Sequence, residues 1–169
     1  MIAIFCGSRS WSDAIAVQDV LHDFVRSGLQ CVIHGDASGA DTIAGIEAEK
    51  MGLQVISVPA DWEKLGDKAG PERNSRMLAL LLDCERMWRL PVACAAFHES
   101  PTLGAGTRDM VNKCMADRVP TRVVISQDLP TTKSQDCSCR MKIAIHPELH
   151  YKRGSRLLCN GFATQNSDL

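Results

Sequence analysis

The stretch with the clearest chemical potential is residues 34–41, His-Gly-Asp-Ala-Ser-Gly-Ala-Asp, which follows an apolar run and opens a helical pattern. Glycine and other small residues at a strand-to-helix turn let a ligand come close to the backbone. The first N–H groups of the following helix have no partner inside it, and the positive end of the helix dipole lies there. The pattern is therefore typical of a loop that binds phosphate.

Apolar runs alternate with helical patterns along the chain, which predicts the elements that position this loop. Uninterrupted apolar runs suit parallel strands that are covered on both faces. Their order predicts an α/β fold, a Rossmann-like doubly wound parallel sheet of about five strands with right-handed crossovers. The predicted strands are residues 2–6, 30–34, 53–58, 91–97 and 121–125.

The polar loops of this pattern fall at one edge of the predicted sheet. Ligands of such sheets bind beyond the carboxyl ends of the strands, where the strand order reverses. We therefore expect four loops to converge on one site, namely residues 7–11, 34–41, 59–71 and 98–107. The third is predicted to be a long loop that ends at Pro71, the first residue of a helix running to about Cys84.

Composition limits the classes of function. The formal net charge is −1, so nucleic-acid binding is disfavoured because it normally requires a basic face. The apolar N-terminus lacks the basic residues of a signal peptide, and no apolar run approaches a membrane-spanning length. We expect a cytoplasmic protein without a membrane partner. Five cysteines fall inside apolar patterns and are predicted to be buried, namely Cys6, Cys31, Cys84, Cys94 and Cys114.

The character of the sequence changes near residue 126, which predicts a Rossmann-like domain over residues 1–126 and a polar C-terminal appendage over residues 127–169. The first domain needs no cofactor. A small hairpin without a core of its own often needs a metal, so the appendage is a candidate zinc site, with a tail of unpaired thiols as the alternative. The candidate zinc ligands are Cys137, Cys139, His150 and Cys159.

Five motifs occur in an order that resembles a known superfamily. They are Gly7-Ser8-Arg9-x-Trp11, His34-Gly35-x-Ala37-x-Gly39-Ala40-Asp41, Pro59-Ala60-Asp61-Trp62, Gly66-x-x-Ala69-Gly70-Pro71-x-Arg73-Asn74-x-x-Met77 and Gly106-Thr107-x-x-Met110. Over residues 1–125 the chain resembles the YspA- and YpsA-like branch of the SLOG superfamily, which looks related to LOG proteins and to DprA. The resemblance implies a sheet that binds nucleotides or ligands derived from NAD or ADP-ribose. It also implies a homo-oligomer, and several relatives act in bacterial or phage conflict systems.

The candidate ligand-binding residues combine these motifs with the chemistry of each side chain. They are Gly7, Ser8, Arg9, His34, Gly35, Ala37, Gly39, Asp41, Trp62, Arg73, Asn74, Gly104, Gly106 and Thr107. A carboxylate repels phosphate, so Asp41 suits a sugar better, and residues 103–107 become the preferred phosphate site. Trp62 is either a surface for a base or a lid over the pocket, or it is a hydrophobic plug between loop and sheet.

Two functions remain open at this stage. The first is binding of a nucleotide or of a molecule derived from NAD or ADP-ribose, by a sensor or sequestering protein. The alternative, which the resemblance to LOG-type hydrolases implies, is cleavage of an N-glycosidic bond, with Arg73 and Asp109 as catalytic residues. Asp109 stands near the position of the acidic residue of those hydrolases. His34 is either a general base or a structural histidine.

Overall fold

The structure is a computed structural model that describes residues 1–126. The predicted zinc ligands and hairpin of residues 127–169 lie outside the described residues, so zinc binding stays a prediction. The described chain forms a five-stranded sheet in which every strand pair is parallel, with helices on both faces. The predicted α/β class and Rossmann-like doubly wound sheet are therefore confirmed.

The elements alternate as the sequence predicts. The strands are β1 (Ile2–Gly7), β2 (Cys31–His34), β3 (Gln54–Ser57), β4 (Val92–His98) and β5 (Thr121–Ile125). The helices are α1 (Ala14–Arg26), α2 (Ala40–Lys50), α3 (Trp62–Leu65), α4 (Ala69–Trp88) and α5 (Ala105–Ala116), with a 3₁₀ turn over Gly66–Lys68. The spatial order of the strands is β3-β2-β1-β4-β5, so the order reverses between β1 and β4.

The two faces of the sheet bury separate apolar layers. Alternation along β1 places Phe5 in the layer that contains α1 and α2, and Ile4 in the layer that contains α4 and α5. The central strands are buried on both faces, which explains their uninterrupted apolar runs. All five cysteines that were predicted to be buried are buried and unpaired.

The segment between β3 and β4 differs from the prediction in two respects. Residues 59–71 contain α3 and the 3₁₀ turn, and α4 begins at Ala69, so Pro71 is its third residue. Proline fits there because the first four N–H groups of a helix have no partner within the helix. The helix also continues past Cys84 to Trp88. Its last turn is exposed and shows no helical spacing of apolar residues, so the helix predicted from that spacing ends too early.

None of the helices within residues 1–126 is long and apolar enough to cross a membrane.

Candidate functional site

A cleft of about 400 Å³ opens beyond the carboxyl ends of β1 and β4, where the strand order reverses. All four of the polar loops that were predicted to converge contribute to its walls. The predicted ligand-binding residues that line it are Gly7, Ser8, Arg9, Ala37, Asp41, Trp62, Arg73, Asn74, Gly104, Gly106 and Thr107. Four predicted residues lie outside its lining, namely His34, Gly35, Gly39 and Asp109.

The first turn of α5 forms one wall of the cleft. Gly104 is the N-cap residue, and no side chain caps the helix. The first N–H group that bonds within this turn is that of Arg108, which donates to the Gly104 carbonyl at 2.9 Å. The preceding amides, on Ala105, Gly106 and Thr107, are therefore free of helical bonds and lie at the positive end of the helix dipole. This wall has the chemistry of an anion site.

Gly106 is distinctive among the glycines of the site. A Cβ atom added to Gly106 would meet no protein atom within 4 Å. At Gly7 an added Cβ would overlap the Phe97 carbonyl, and at Gly39 it would overlap the Ser8 carbonyl. Gly39 also has a φ of 77°, a left-handed conformation that favours glycine. Packing within the protein therefore explains Gly7 and Gly39, whereas it does not explain Gly106.

Arg73 and Asp41 form a buried ion pair between α4 and α2. One terminal nitrogen of Arg73, Nη1, lies 3.3 Å from Asp41 Oδ2 and also donates to the Gly35 carbonyl. The two side chains are only 12% and 3% exposed. The Gly35 N–H group donates to the same Asp41 oxygen at 2.8 Å. The Arg73 guanidinium therefore packs directly on Gly35, because a Cβ atom added to Gly35 would overlap the guanidinium.

The charge state of this pair depends on two opposing effects. Burial raises the pKa of Asp41, while the Arg73 guanidinium and the Gly35 N–H group lower it without cancelling the rise. Nε of Arg73 is buried and has no hydrogen-bond partner among the described residues. The cationic side chain is therefore held rigidly at the cleft wall although its hydrogen-bonding capacity is only partly used.

Asn74 connects α4 to α5. Its Nδ2 atom donates to Asp109 Oδ2 at 2.8 Å and to the Gly106 carbonyl at 3.2 Å. Asp109 also forms an ion pair with Lys113, one turn further along α5. The two residues of the predicted hydrolase pair thus have different partners. Arg73 contacts Asp41 at the cleft, and Asp109 binds Asn74 and Lys113 outside the cleft lining.

His34 lies between β2 and α2. Its Nδ1 atom accepts the Asp36 N–H group at 3.1 Å, and a Cβ added to Gly45 would lie 2.9 Å from its Nε2. The ring is 6% exposed. These contacts are those of a structural histidine, which was the second of the two interpretations.

Trp62 stands at the mouth of the cleft and is 50% exposed. The guanidinium of Arg9 lies over its ring, 5.2 Å from the centroid. Trp11, from the same set of motifs, is only 3% exposed and packs against Phe97 with ring centroids 5.5 Å apart. The two tryptophans therefore have different roles, since Trp11 belongs to the core and Trp62 presents aromatic surface.

His98 is a cleft residue that the sequence analysis did not single out. Its Nε2 atom accepts the N–H group of Gly104 at 2.9 Å, and its Nδ1 atom contacts the backbone of Ser100. The ring thereby fixes the loop that leads into α5. The available signal was a polar residue at the end of a strand, which His98 shares with His34. Other lining residues that the sequence analysis missed are Cys6, Asp67, Gly70, Pro71, Ala105 and Met110.

Within residues 1–126, no group of three or more His, Cys, Asp or Glu side chains is placed to hold a metal ion.

Comparison with known proteins identifies the family. Residues 1–65 match the YAcAr family, described as the YspA, cpYpsA-related SLOG family. Gene 61 protein of Mycobacterium phage D29 is 40% identical over 125 residues, which cover 69% of this chain and 90% of that protein. The X-ray structure of DNA processing protein A (DprA) from Streptococcus pneumoniae aligns with a TM-score of 0.41 and 20% identity. That alignment covers 71% of this chain and 57% of the DprA chain, so this chain spans little more than half of it. By its similarity to the phage protein and the family match over residues 1–65, the chain belongs to the YspA, cpYpsA-related SLOG family.

Proposed function

We propose that this protein binds a phosphate-bearing molecule, a nucleotide or a derivative of NAD or ADP-ribose, in the cleft between β1 and β4. Membership of the SLOG family fits a nucleotide-related role. The observation that carries the proposal is the first turn of α5, which lines the cleft, has no side-chain cap and leaves open space at Gly106.

The charges around the cleft favour α5 over α2 as the phosphate site. The first turn of α2 carries Asp41, whose carboxylate occupies the end of that helix. The first turn of α5 has no acidic residue. A phosphate at α5 therefore gains the attraction of the helix dipole without repulsion from a carboxylate in that turn. Arg9 and Arg73 add positive charge to the same cleft.

The wall formed by Ala37 and Asp41 faces the same cavity and is proposed to contact the sugar of the ligand. The Oδ2 atom of Asp41 accepts hydrogen bonds from both Gly35 and Arg73, which hold the carboxylate in place. Its contribution is therefore the shape and polarity of the wall, together with the position of Arg73.

We favour binding without cleavage because the predicted catalytic pair, Arg73 and Asp109, is not brought together in the cleft. Stabilisation of an oxocarbenium-like state requires a carboxylate beside the scissile bond. Asp109 binds Asn74 and Lys113 and lies outside the cleft lining, so it offers no such group to a molecule in the cleft. A protein that keeps its ligand intact suits a sensor or sequestering role, and the similarity to a phage protein supports a phage-related setting for that role.

The first test is the variant Gly106→Ala. Alanine at a helical position is more favourable than glycine by up to ~1 kcal/mol, and the added methyl group meets no protein atom, so the melting temperature should not fall. The methyl group fills the space that the phosphate needs. We expect AMP or ADP-ribose to bind the unmodified protein in calorimetric titration, and Gly106→Ala to weaken the binding at least tenfold.

Two outcomes would contradict the proposal. One is that neither nucleotide binds the unmodified protein, and the other is that Gly106→Ala binds as well as the parent. Chromatography of the recovered ligand separates binding from turnover. Intact nucleotide after prolonged incubation supports a binding protein. Release of free base that is lost in Asp109→Ala would support the hydrolase.

A further inference from the structure

We propose that Trp62 is the surface on which a planar aromatic ring of the ligand stacks, and that this ring replaces the guanidinium of Arg9 over the indole. The inference rests on the proposed function and specifies its ligand class. The preferred ligand carries both an aromatic base and a phosphate, as nucleoside phosphates do, whereas sugar phosphates and inorganic phosphate supply only the anion.

Trp62 is too exposed to be a plug between loop and sheet. A plug between loop and sheet would be buried, as Trp11 is at 3% exposure, whereas Trp62 is 50% exposed. Neither α3 nor the 3₁₀ turn that follows it contains a buried residue. Half of a large aromatic side chain is thus left in contact with water at the mouth of the cleft. A ligand ring that covers it gains the free energy of removing that apolar surface from water.

Hydrogen bonds hold the segment that carries Trp62 in place. The side chain of Asp61 caps α3 by accepting the Lys64 N–H group at 3.1 Å. The Pro59 carbonyl, just before this helix, accepts a hydrogen bond from Arg76 of α4 at 2.7 Å. The exposed indole is therefore carried by a segment that is tied to the main helix beside the cleft. A preorganised aromatic surface loses little conformational entropy when a ligand stacks on it.

Arg9 covers the face of the Trp62 indole on which a ligand ring would stack. Its guanidinium is itself a planar group from the cleft lining and lies over the indole at 5.2 Å from the centroid, so this face can accept a planar group. Arg9 is exposed, and exposed cation–π contacts are weak, so a ligand ring can displace it. The displaced guanidinium remains in the cleft, where a phosphate offers a charge-assisted hydrogen bond. A ligand that carries both ring and phosphate thus replaces both interactions of Arg9.

The experiment compares AMP with ribose 5-phosphate by calorimetric titration. The two probes share the sugar and the phosphate and differ by the base. We expect the unmodified protein to bind AMP about 5- to 150-fold more tightly, which corresponds to the range of about 1–3 kcal/mol for stacking of one base on an aromatic side chain. Trp62→Leu should remove this preference while leaving the affinity for ribose 5-phosphate within twofold, and Trp62→Phe should retain most of it.

Trp88→Leu is the matched control. Trp88 is similarly exposed, at 59%, but it ends α4 at the far side from the cleft, so its loss should change neither affinity. Trp88→Phe also serves a spectroscopic test, because it leaves Trp62 as the exposed tryptophan and Trp11 as the buried one. AMP should then quench the tryptophan fluorescence, whereas ribose 5-phosphate should not.

Arg9→Met tests the displacement separately. Adenosine has the ring without the phosphate, so removal of the competing guanidinium should leave its affinity unchanged or increase it. A fall in adenosine affinity would contradict displacement of Arg9.

The outcomes separate this inference from the proposed function. If Trp62→Leu leaves AMP binding unchanged, or weakens AMP and ribose 5-phosphate equally, stacking on Trp62 is refuted. The proposed function survives in that case as long as Gly106→Ala still weakens the binding of both probes at least tenfold. If neither AMP nor ribose 5-phosphate binds the unmodified protein, the stacking inference fails, and the proposed function fails as well if ADP-ribose does not bind either.

Discussion

Replacement of Arg73 by leucine should destabilise the fold because it leaves a buried carboxylate without its cation. Asp41 is 2% exposed, and its Oδ2 atom lies 3.3 Å from Arg73 Nη1. At this separation and an effective dielectric constant of about 20, the Coulomb attraction is about 5 kcal/mol. The hydrogen bond from Gly35 to the carboxylate remains in the variant, and protonation of Asp41 limits the cost further. We expect a net loss of about 3 kcal/mol at pH 7, as is typical when one partner of a buried pair is removed.

The stability that Arg73→Leu loses should depend on pH. Burial already raises the pKa of Asp41, and loss of the Arg73 charge, which lowers it, raises it further. A carboxyl group whose pKa is higher in the folded state binds more protons there, so stability decreases as the pH rises through the folded-state pKa. The difference in unfolding free energy between the parent and Arg73→Leu should therefore be largest near pH 7. It should shrink as the pH falls towards 4.

Urea unfolding of the unliganded protein at several pH values is the assay. The double variant Arg73→Leu with Asp41→Asn is the control, because asparagine needs no counter-charge. It should recover part of the lost stability and show a smaller pH dependence than Arg73→Leu alone. At pH 7 the single variant should also melt about 10 °C lower than the parent, given the usual entropy of unfolding of a domain of this size. A loss below about 1 kcal/mol, or one that is independent of pH, would refute the assignment of a buried ion pair.

Two further predictions concern the walls of the cleft. Gly35→Ala places a methyl group where the Arg73 guanidinium lies. We therefore expect the free energy of unfolding in urea to fall by about 1–3 kcal/mol and AMP binding to weaken. Unchanged stability would show that Arg73 has another position available to it. His98→Leu removes the acceptor of the Gly104 N–H group, so we expect about 1 kcal/mol lower stability and a loss of AMP affinity in calorimetry. Unaltered AMP affinity in that variant would separate His98 from the anion site.

Both the order of the elements and the edge of the sheet where the cleft lies follow from the sequence. Uninterrupted apolar runs identify strands that are covered on both faces, and polar loops after each strand mark one edge, because parallel strands end on the same side. These are local signals of composition and period. These signals missed α3 and the last turn of α4. The last turn of α4 is exposed and has no apolar face that a periodic pattern could reveal.

The contacts of each residue at that edge depend on how distant parts of the chain pack together. Gly35 and Gly106 look alike in sequence, yet the first makes room for Arg73 and the second leaves open space beside an uncapped helix. Likewise, Arg73 is paired with Asp41, 32 positions earlier in the chain, whereas Asp109 is held by Asn74. The role of a glycine depends on the atoms that surround its missing Cβ, and that of a charge on its nearest counter-charge. Both are set by the packing of α2, α4 and α5 around the sheet, which no local pattern encodes.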